Sequence, residues 1–133
     1  AALNDITTTS RSLEVQEVLA RAVDAVLDLM GLEAGEIFLV DDAAGEVVLA
    51  IHRGNDLAAF WERTRFRIGE GVPGMVAASG EPIVITDLAR DARFLRSQVI
   101  ETGFRFYASV PLKAMDRVVG TLGMAAHERL HSR

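Results

Sequence analysis

Two pairs of apolar runs, each joined by only a few residues, constrain the fold of this chain most. The runs are residues 36–41 with 46–52, and residues 106–113 with 118–125. Connections this short join antiparallel strands, and Gly45 can supply the positive φ that a tight hairpin needs. Both pairs are nearly continuous in apolar residues, whereas strands with one exposed face alternate. The sequence therefore predicts an antiparallel sheet that is covered on both faces.

Helical patterns supply the two covering layers. In residues 15–30, apolar residues recur on one side of a helix, with Ser12 as the expected N-cap and Gly31 as the end. Shorter helices are predicted at residues 57–63, 73–79 and about 93–100. The expected fold class is α+β, an α/β/α sandwich with an antiparallel sheet of about six strands. Residues 1–133 are expected to form a single domain.

The segment 88–105 is long for a connection inside a compact domain. Segments of 18 residues are usually lids or binding elements when they are not secondary structure. We therefore expect a small-molecule pocket beneath it. Successive residues of the strand that follows face opposite sides of the sheet, so either Tyr107 and Ser109 line the pocket or Phe106 and Ala108 do.

Composition excludes several classes of function. Half of the residues are hydrophobic and a quarter are charged, as in a soluble globular protein. A net charge of −5 argues against sequence-independent nucleic-acid binding, which needs a basic face. There is no cysteine for a disulfide, a nucleophile or a thiolate metal site. With no signal peptide and no apolar run of about 20 residues, a cytoplasmic location without membrane contact is expected.

Residues 69–74 match the dinucleotide-binding pattern G-x-G-x-x-G, and Asp87 follows where a ribose-binding acid could lie. The pattern normally opens a long helix in a parallel sheet, whereas this chain predicts a two-turn helix among antiparallel hairpins. We therefore interpret Gly69 and Gly71 as turn residues, with Pro73 early in a short helix and Gly80 at its end.

A second pattern, His127-Glu-Arg-Leu-His131, matches the H-E-x-x-H of zinc hydrolases, in which Glu128 would act as general base. A catalytic zinc needs a third protein ligand, and His52 is the only other histidine. The favoured interpretation is a strand that ends near Ala126 and is followed by a solvated tail, with no metal site and no catalytic residues. The zinc hydrolase is kept as a remote alternative.

Two further sets of residues lie in or beside the segment 88–105. Arg90, Arg93 and Arg96 could form an anion-facing row beside Arg105, although a solvated helical face balanced by acidic neighbours is favoured. The aromatic residues here are expected to be mostly core, with some touching a ligand. They are Phe94, Phe104, Phe106 and Tyr107.

The order of the segments from Phe66 to Met124 resembles the central block of GAF domains. The resemblance is carried by residues 66–75, 76–80, 81–87, 102–105, 108–113 and 118–124, and it extends over about residues 13–126. It implies a six-stranded antiparallel sheet with dimerising helices on one side and a small-molecule pocket on the other. It also implies a C-terminal helix beyond residue 133, and hence a domain cut from a longer signalling protein.

The resemblance implies a set of ligand-binding residues and limits the ligand. The residues that match the pocket wall are Thr86, Asp87, Phe94, Phe104, Tyr107, Ser109 and Thr121. Cyclic-nucleotide-binding members carry an Asn-Lys pair where this chain reads Ala125-Ala-His127-Glu128. Bilin-binding and methionine-sulfoxide-reducing members use cysteines, which this chain lacks.

These features favour a non-enzymatic sensory domain of a signal-transduction protein, such as a two-component system. We expect it to bind a small polar or anionic metabolite of unknown identity, to form a homodimer, and to relay the signal to a linked output domain. That output domain would be a histidine kinase, a cyclase or a transcriptional activator. The alternatives are a ligand-free dimerisation and relay module and a cyclic-nucleotide-binding domain, and no cofactor is assigned.

Overall fold

The computed structural model describes the backbone of residues 2–127 and the side chains of residues 13–127. Within that part, the α-helices are α1 (Ala2–Met30), α2 (Leu57–Phe60), α3 (Gly71–Ser79) and α4 (Ser97–Glu101). The β-strands are β1 (Ala34–Asp41), β2 (Glu46–Gly54), β3 (Arg65–Arg67), β4 (Ile83–Ile85), β5 (Phe106–Ala114) and β6 (Arg117–Ala126). None of the described helices has the length and apolar character needed to cross a membrane.

The strands form one six-stranded antiparallel sheet in the order β3-β2-β1-β6-β5-β4. The two predicted hairpins are β1–β2 and β5–β6, and pairing of β1 with β6 joins them at the centre of the sheet. Gly45 adopts the positive φ expected in the first turn. The predicted fold class, with its antiparallel six-stranded sheet, is confirmed.

Each face of the sheet is covered, as the apolar strands require. On one face, Val23 and Leu27 of α1 pack against residues that include Phe106 and Ala108. On the other, α2, α3 and the connection between β4 and β5 pack against Tyr107 in a second cluster. We use the term connection for residues 86–105. Tyr107 and Ser109 therefore face the connection, and Phe106 and Ala108 face α1. That a ligand pocket lies beneath the connection stays a prediction.

The helices differ from the predictions mainly at their ends. Ser12 lies inside α1, which begins at Ala2, so its predicted role as N-cap was wrong; Gly31 does end the helix, with a φ of 67°. The predicted helix near residues 93–100 is shorter, because regular α-helix begins only at Ser97 and the connection opens with a 3₁₀ turn, Leu88–Arg90. The middle of the α1 stripe packs against the sheet, through Leu19, Val23, Val26 and Leu27, and its two ends are exposed.

A β-bulge between β1 and β2 changes which side chains face the connection. Ile37 pairs with Ile51 and Phe38 with Leu49, so Ala50 has no partner in the register. One extra residue reverses the facing of the strand beyond it, because side chains alternate. His52 is thereby paired with Glu36 and stacks on Phe60, with ring centroids 4.9 Å apart.

Of the glycines in the dinucleotide-like pattern, Gly69 lies in the turn between β3 and α3, and Gly71 and Gly74 lie in the first turn of α3. A Cβ on Gly71 would meet the ring of Phe66, and one on Gly74 would collide with the carbonyl oxygen of Arg67. Both glycines therefore let α3 pack closely on β3. With α3 only nine residues long and the sheet antiparallel, the pattern serves the fold of this chain.

Gly123 is required by a side chain on the neighbouring strand. A Cβ at this position would collide with the hydroxyl oxygen of Tyr107 and crowd its ring. The absent side chain therefore lets Tyr107 of β5 reach across β6 toward β1.

We predict that Gly123→Ala lowers the free energy of unfolding by about 1–3 kcal/mol, because overpacking displaces the Tyr107 ring. Urea denaturation measures the change. The double variant Gly123→Ala/Tyr107→Phe lacks the colliding oxygen, so its loss should be smaller than the sum of the two single losses. Strictly additive losses would contradict this account.

Candidate functional site

A fully buried ion pair lies between the sheet and the connection. Arg96 donates from Nη1 to Oε1 of Glu36 at 2.7 Å and from Nη2 to Oε2 at 2.5 Å. Both side chains are 1% exposed. Two parallel hydrogen bonds between guanidinium and carboxylate are the strongest form of this contact, and they offset part of the cost of removing both charges from water.

Five aromatic rings surround the guanidinium of Arg96. Its Cζ atom lies 5.2–5.7 Å from the ring centroids of Phe38, Phe60, Phe66, Phe94 and Tyr107. We call these five side chains the arginine cage. Cations within about 6 Å of an aromatic face are attracted by the ring quadrupole, and the attraction is stronger away from water. The cage therefore stabilises the buried positive charge.

Tyr107 completes the hydrogen bonding of the pair. Its hydroxyl donates to Oε2 of Glu36 at 2.7 Å and accepts a long hydrogen bond from Nη2 of Arg96 at 3.4 Å. Burial and the charge of Glu36 raise the pKa of Tyr107 well above its ordinary value, so the hydroxyl stays protonated. Burial alone would lower the pKa of Arg96, but Glu36 more than compensates and raises it, so the guanidinium stays charged.

Two unpaired hydroxyls lie on the same face of the sheet. In the pairing register, Ser109 of β5 and Glu36 of β1 lie on opposite sides of Gly123, and Thr121 is paired with Phe38. Within the described part of the chain, the fully buried Ser109 Oγ and Thr121 Oγ1 make no hydrogen bond. Such groups are uncommon inside proteins, and they are positions where a water or a polar ligand atom would be stabilised.

Arg96 is positioned by the connection, at the residue before α4. Glu62, just after α2, accepts hydrogen bonds at the start of α4 from Gln98 N at 2.8 Å and Ser97 Oγ at 3.1 Å. Phe94 and Val99, on either side of Arg96 in the sequence, are buried in the same core cluster. The connection is thus fixed to the sheet by apolar contacts, by Glu62 and by the ion pair.

A row of four rings in contact borders the site. His52 packs on Phe60, Phe60 packs edge-on against Phe104 at 5.2 Å, and Phe104 stacks on His127 at 4.0 Å. The ring of His127 contacts the carboxylate of Glu33 through Nδ1 and the carbonyl oxygen of Thr102 through Nε2. It therefore ties the end of β6 to the start of β1 and to the connection.

The family model described as "GAF domain" matches residues 12–131 of this chain. The chain belongs to the GAF domain family. It is 30% identical over 116 residues to the Nif-specific regulatory protein of Azospirillum lipoferum, a match that covers 84% of this chain and 18% of that protein. The chain thus spans about a fifth of the length of the curated relative that it matches.

Solved structures show the same fold. The GAF domain of a phosphoenolpyruvate-protein phosphotransferase from Coxiella burnetii has a TM-score of 0.75 and 21% identity, covering 98% of this chain and 80% of that one. The free methionine-R-sulfoxide reductase of Neisseria meningitidis, solved with its substrate, has a TM-score of 0.70 and 24% identity, covering 86% and 64%. Solved proteins with this fold therefore include an enzyme, the sulfoxide reductase, as well as a GAF domain of a phosphotransferase.

The seven residues predicted to line the pocket of this GAF domain are only partly brought together. Tyr107, Ser109 and Thr121 share the buried face around Gly123, and Phe94 belongs to the arginine cage. Phe104 is buried outside the arginine cage, where its ring packs against that of Phe60. The remaining two, Thr86 and Asp87, lie at the start of the connection and not in the cage.

Thr86 is exposed and Asp87 is half-buried. Oδ1 of Asp87 lies 3.6 Å from Nη1 of Arg105, too far for a hydrogen bond, and Oδ2 lies 3.5 Å from Nε of Arg90. These contacts are weak ion pairs at the protein surface. Whether Thr86 or Asp87 contacts a ligand stays a prediction.

For Arg96, both predictions made for the arginine row were wrong, namely the anion-facing row and the solvated helical face. Arg90 and Arg93 are exposed, and Arg93 pairs with Asp91, but Arg96 is neither solvated nor part of a row with them. Sequence reasoning also missed Glu36, which it treated as the first residue of a strand. The available signal was one acidic residue inside an apolar strand that is covered on both faces, because such a residue needs a buried cationic partner.

The remote zinc interpretation is not tested, since Glu128 and His131 lie outside the described residues. Among the side chains that are described, no group of three or more histidine, aspartate or glutamate residues is placed to hold a metal ion. β6 does end at Ala126, as expected.

We predict that Arg96→Met and Glu36→Met each lower the free energy of unfolding by about 3–5 kcal/mol, because each leaves one uncompensated buried charge. The double variant should lose much less than the sum, since it buries no charge. Urea denaturation of all three proteins completes the cycle. The matched control, Arg93→Met, removes a more exposed pair and should cost at most about 1 kcal/mol. Small or additive losses at the buried pair would refute its structural role.

We predict opposite pH dependences for the two described histidines. Desolvation alone would lower the pKa of His127, but hydrogen bonding and the charge of Glu33, with Asp56 nearby, raise it. Its stabilisation is then complete below about pH 6.5, the ordinary imidazole pKa, and is lost as pH rises through the folded-state value. Burial lowers the pKa of His52, which faces Glu36 and Arg96, so its contribution is present above about pH 6.5 and lost at lower pH.

The test is urea denaturation of His127→Gln and His52→Gln across this range of pH. The loss caused by His127→Gln should shrink as pH rises, whereas the loss caused by His52→Gln should shrink as pH falls. Parallel slopes for the two variants would contradict the assignment.

Proposed function

We propose that this GAF domain is a non-catalytic sensory and regulatory module. A small polar metabolite binds between the sheet and the connection, and the rearrangement is relayed to an output domain in the same protein. The observation that supports this best is the buried pair of Arg96 and Glu36, because its hydrogen-bonding capacity lies where the sequence predicts the pocket. The hydroxyls of Ser109 and Thr121 offer further hydrogen bonds to a ligand.

The named relatives support a regulatory role. The match to a Nif-specific regulatory protein covers most of this chain and a small part of that protein. This is the relation expected between one input module and a larger regulator. We therefore propose a covalently linked output domain, of which a transcriptional activator, a histidine kinase and a cyclase are the candidate classes, and we propose a cytoplasmic location.

The absence of a thiol distinguishes this chain chemically from a thiol-dependent reductase. Reducing a sulfoxide to a sulfide with protein thiols consumes two electrons, which a cysteine pair supplies by forming a disulfide. The sequence contains no cysteine. The likeness to the methionine-R-sulfoxide reductase is therefore used only for the fold, and our proposal is a binding function.

Two classes of ligand are compatible with the charges of the site. An anion, the class favoured by the sequence, would take the place of the Glu36 carboxylate on Arg96. A cation would take the place of the guanidinium on Glu36. The other arginines of the connection lie outside the cage, where Arg93 is bound to Asp91 and Arg90 and Arg105 lie beside Asp87.

A specific observation favours a second function, that of a ligand-free dimerisation and relay module. Leu13, Val15 and Val18 of α1 are all more than half exposed. Leu13 lines an open cleft of about 530 Å³ between α1 and the β2–α2 region, with Trp61 in its wall, and Val15 and Val18 line a separate cleft of about 280 Å³. Exposed apolar surface on a long helix is typical of helix pairing. A homodimer through α1 is therefore part of the proposal in either form.

We predict that a ligand from a panel of anions, amino acids, guanidinium compounds and cyclic nucleotides raises the melting temperature of the domain. A ligand that binds only the folded state, at 100 times its dissociation constant, adds about 2.7 kcal/mol of stability. In the longer protein the same ligand should change output by about 5-fold to 150-fold, the usual range of such coupling.

Arg96→Lys should change that response, because lysine cannot reproduce the bidentate contact. An anion that binds the guanidinium of Arg96 should bind this variant more weakly, and a cation that takes the place of the guanidinium should bind it more tightly. The matched control is Arg93→Lys on the outer surface of the connection, which should leave the response unchanged. If no ligand shifts the melting temperature, and output instead follows disruption of α1 by Val18→Glu, the ligand-free module is the function.

A further inference from the structure

The arginine cage together with Glu36 has the composition of a binding site for a planar cation. It combines five aromatic rings around one point with a carboxylate that accepts two parallel hydrogen bonds. Aromatic rings with a nearby acid are a common means of holding organic cations in proteins. Phe60 adds its carbonyl oxygen at 3.4 Å from Nη1 of Arg96.

Arg96 and the residues that surround its guanidinium belong to different parts of the fold. Glu36, Phe38 and Tyr107 are on central strands, and Phe60 and Phe66 are on α2 and β3. Arg96 comes instead from the connection, together with Phe94. The framework therefore supplies most of the site, and the connection inserts a side chain that occupies it.

Contacts other than those of Arg96 also hold the connection in place. The sequence neighbours of Arg96, Leu95 and Ser97, are exposed, so the backbone at this point lies at the surface. The side chain alone reaches inward, from the residue that precedes the short helix α4. Rotation of this one side chain into solvent would expose the cage while Phe94 and Val99 keep the connection packed.

Electrostatics favours a cation over an anion as the incoming ligand. If a cation replaces the guanidinium, Glu36 remains paired and Arg96 gains solvation, so no buried charge is left alone. If an anion binds Arg96 in place, Glu36 loses its partner and keeps only the hydrogen bond from Tyr107. An uncompensated buried charge is strongly destabilising.

We propose that Arg96 is an internal ligand of the cage and that the external ligand is a small guanidinium or amidinium compound that exchanges with it. The biological role of this exchange rests on the sensory function proposed above.

The experiment uses N-ethylguanidinium, which is the part of the arginine side chain that Arg96→Ala removes. Binding to Arg96→Ala, followed by melting temperature and by titration calorimetry, should be saturable at millimolar concentration. Wild type should bind about tenfold or more weakly, because its own arginine occupies the site and reduces the fraction of competent protein. N-ethylurea, which has similar shape without charge, should not bind.

Two variants test the contacts. Arg96→Ala/Glu36→Gln removes the carboxylate and should lose the binding. Arg93→Ala, which removes an exposed arginine of the same segment, should behave as wild type and also reports any general effect of guanidinium on stability. If Arg96→Ala does not fold, Arg96→Lys replaces it, since it keeps Glu36 paired but should yield to the probe more readily than arginine does.

Saturable binding to Arg96→Ala that depends on Glu36 and weakens in wild type supports the proposal. Equal binding with and without Glu36, or none by a folded Arg96→Ala or Arg96→Lys protein, overturns it. Malonate that binds wild type and is lost in Arg96→Ala overturns it in favour of an anion. None of these measurements involves an output domain, so failure of the exchange is distinct from failure of the sensory role.

Discussion

The buried pair of Glu36 and Arg96 is the interaction on which this side of the structure depends. Two full charges lie where water does not reach, and each is tolerated only because the other is present. The surrounding features serve this requirement. Five rings face the guanidinium, Tyr107 bonds to the carboxylate, and Gly123 leaves room for the tyrosine to do so. The site is therefore one cooperative unit, because a change in any part alters the support of the others.

The pair also links two parts of the chain that are 60 residues apart. Glu36 is fixed by a central strand that is hydrogen-bonded on both sides, while Arg96 is carried by a segment with little regular structure. Glu62 and the apolar residues of the connection bring that segment to the sheet, but only Arg96 reaches its charged centre. A contact between a rigid element and a weakly structured one is well suited to a two-state response, because the weakly structured side can move while the sheet stays unchanged.

Such an arrangement connects the fold to a sensory role. A regulator needs a ligand that binds one conformation better than another. The proposed exchange of Arg96 would supply two conformations that differ in the charge and volume of the site. The opposite face of the sheet, covered by α1, is packed with apolar side chains. Rearrangement beneath the connection and contacts made by α1 are thus separated by one sheet, through which the two can influence each other.

The sequence by itself determined the sheet and its layers. Short turns between apolar runs require antiparallel hairpins, nearly continuous apolar strands require two covered faces, and the glycines at 31, 45 and 80 take the positive φ that their turns need. These are local effects that single segments reveal. Tyr107, Ser109 and Thr121 became candidates through the resemblance to GAF domains, because local patterns left their facing open. The helix ends were less predictable, since Ser12 is a good cap that the longer α1 does not use. Only the tertiary structure decided the site, because the pairing of Arg96 with Glu36 depends on the path of the connection, and its support by Tyr107 depends on the space at Gly123. Neither leaves a periodic signal in the chain. From the sequence alone, an arginine among charged neighbours is expected to be solvated. Only the fold brings a distant carboxylate and five aromatic rings around it.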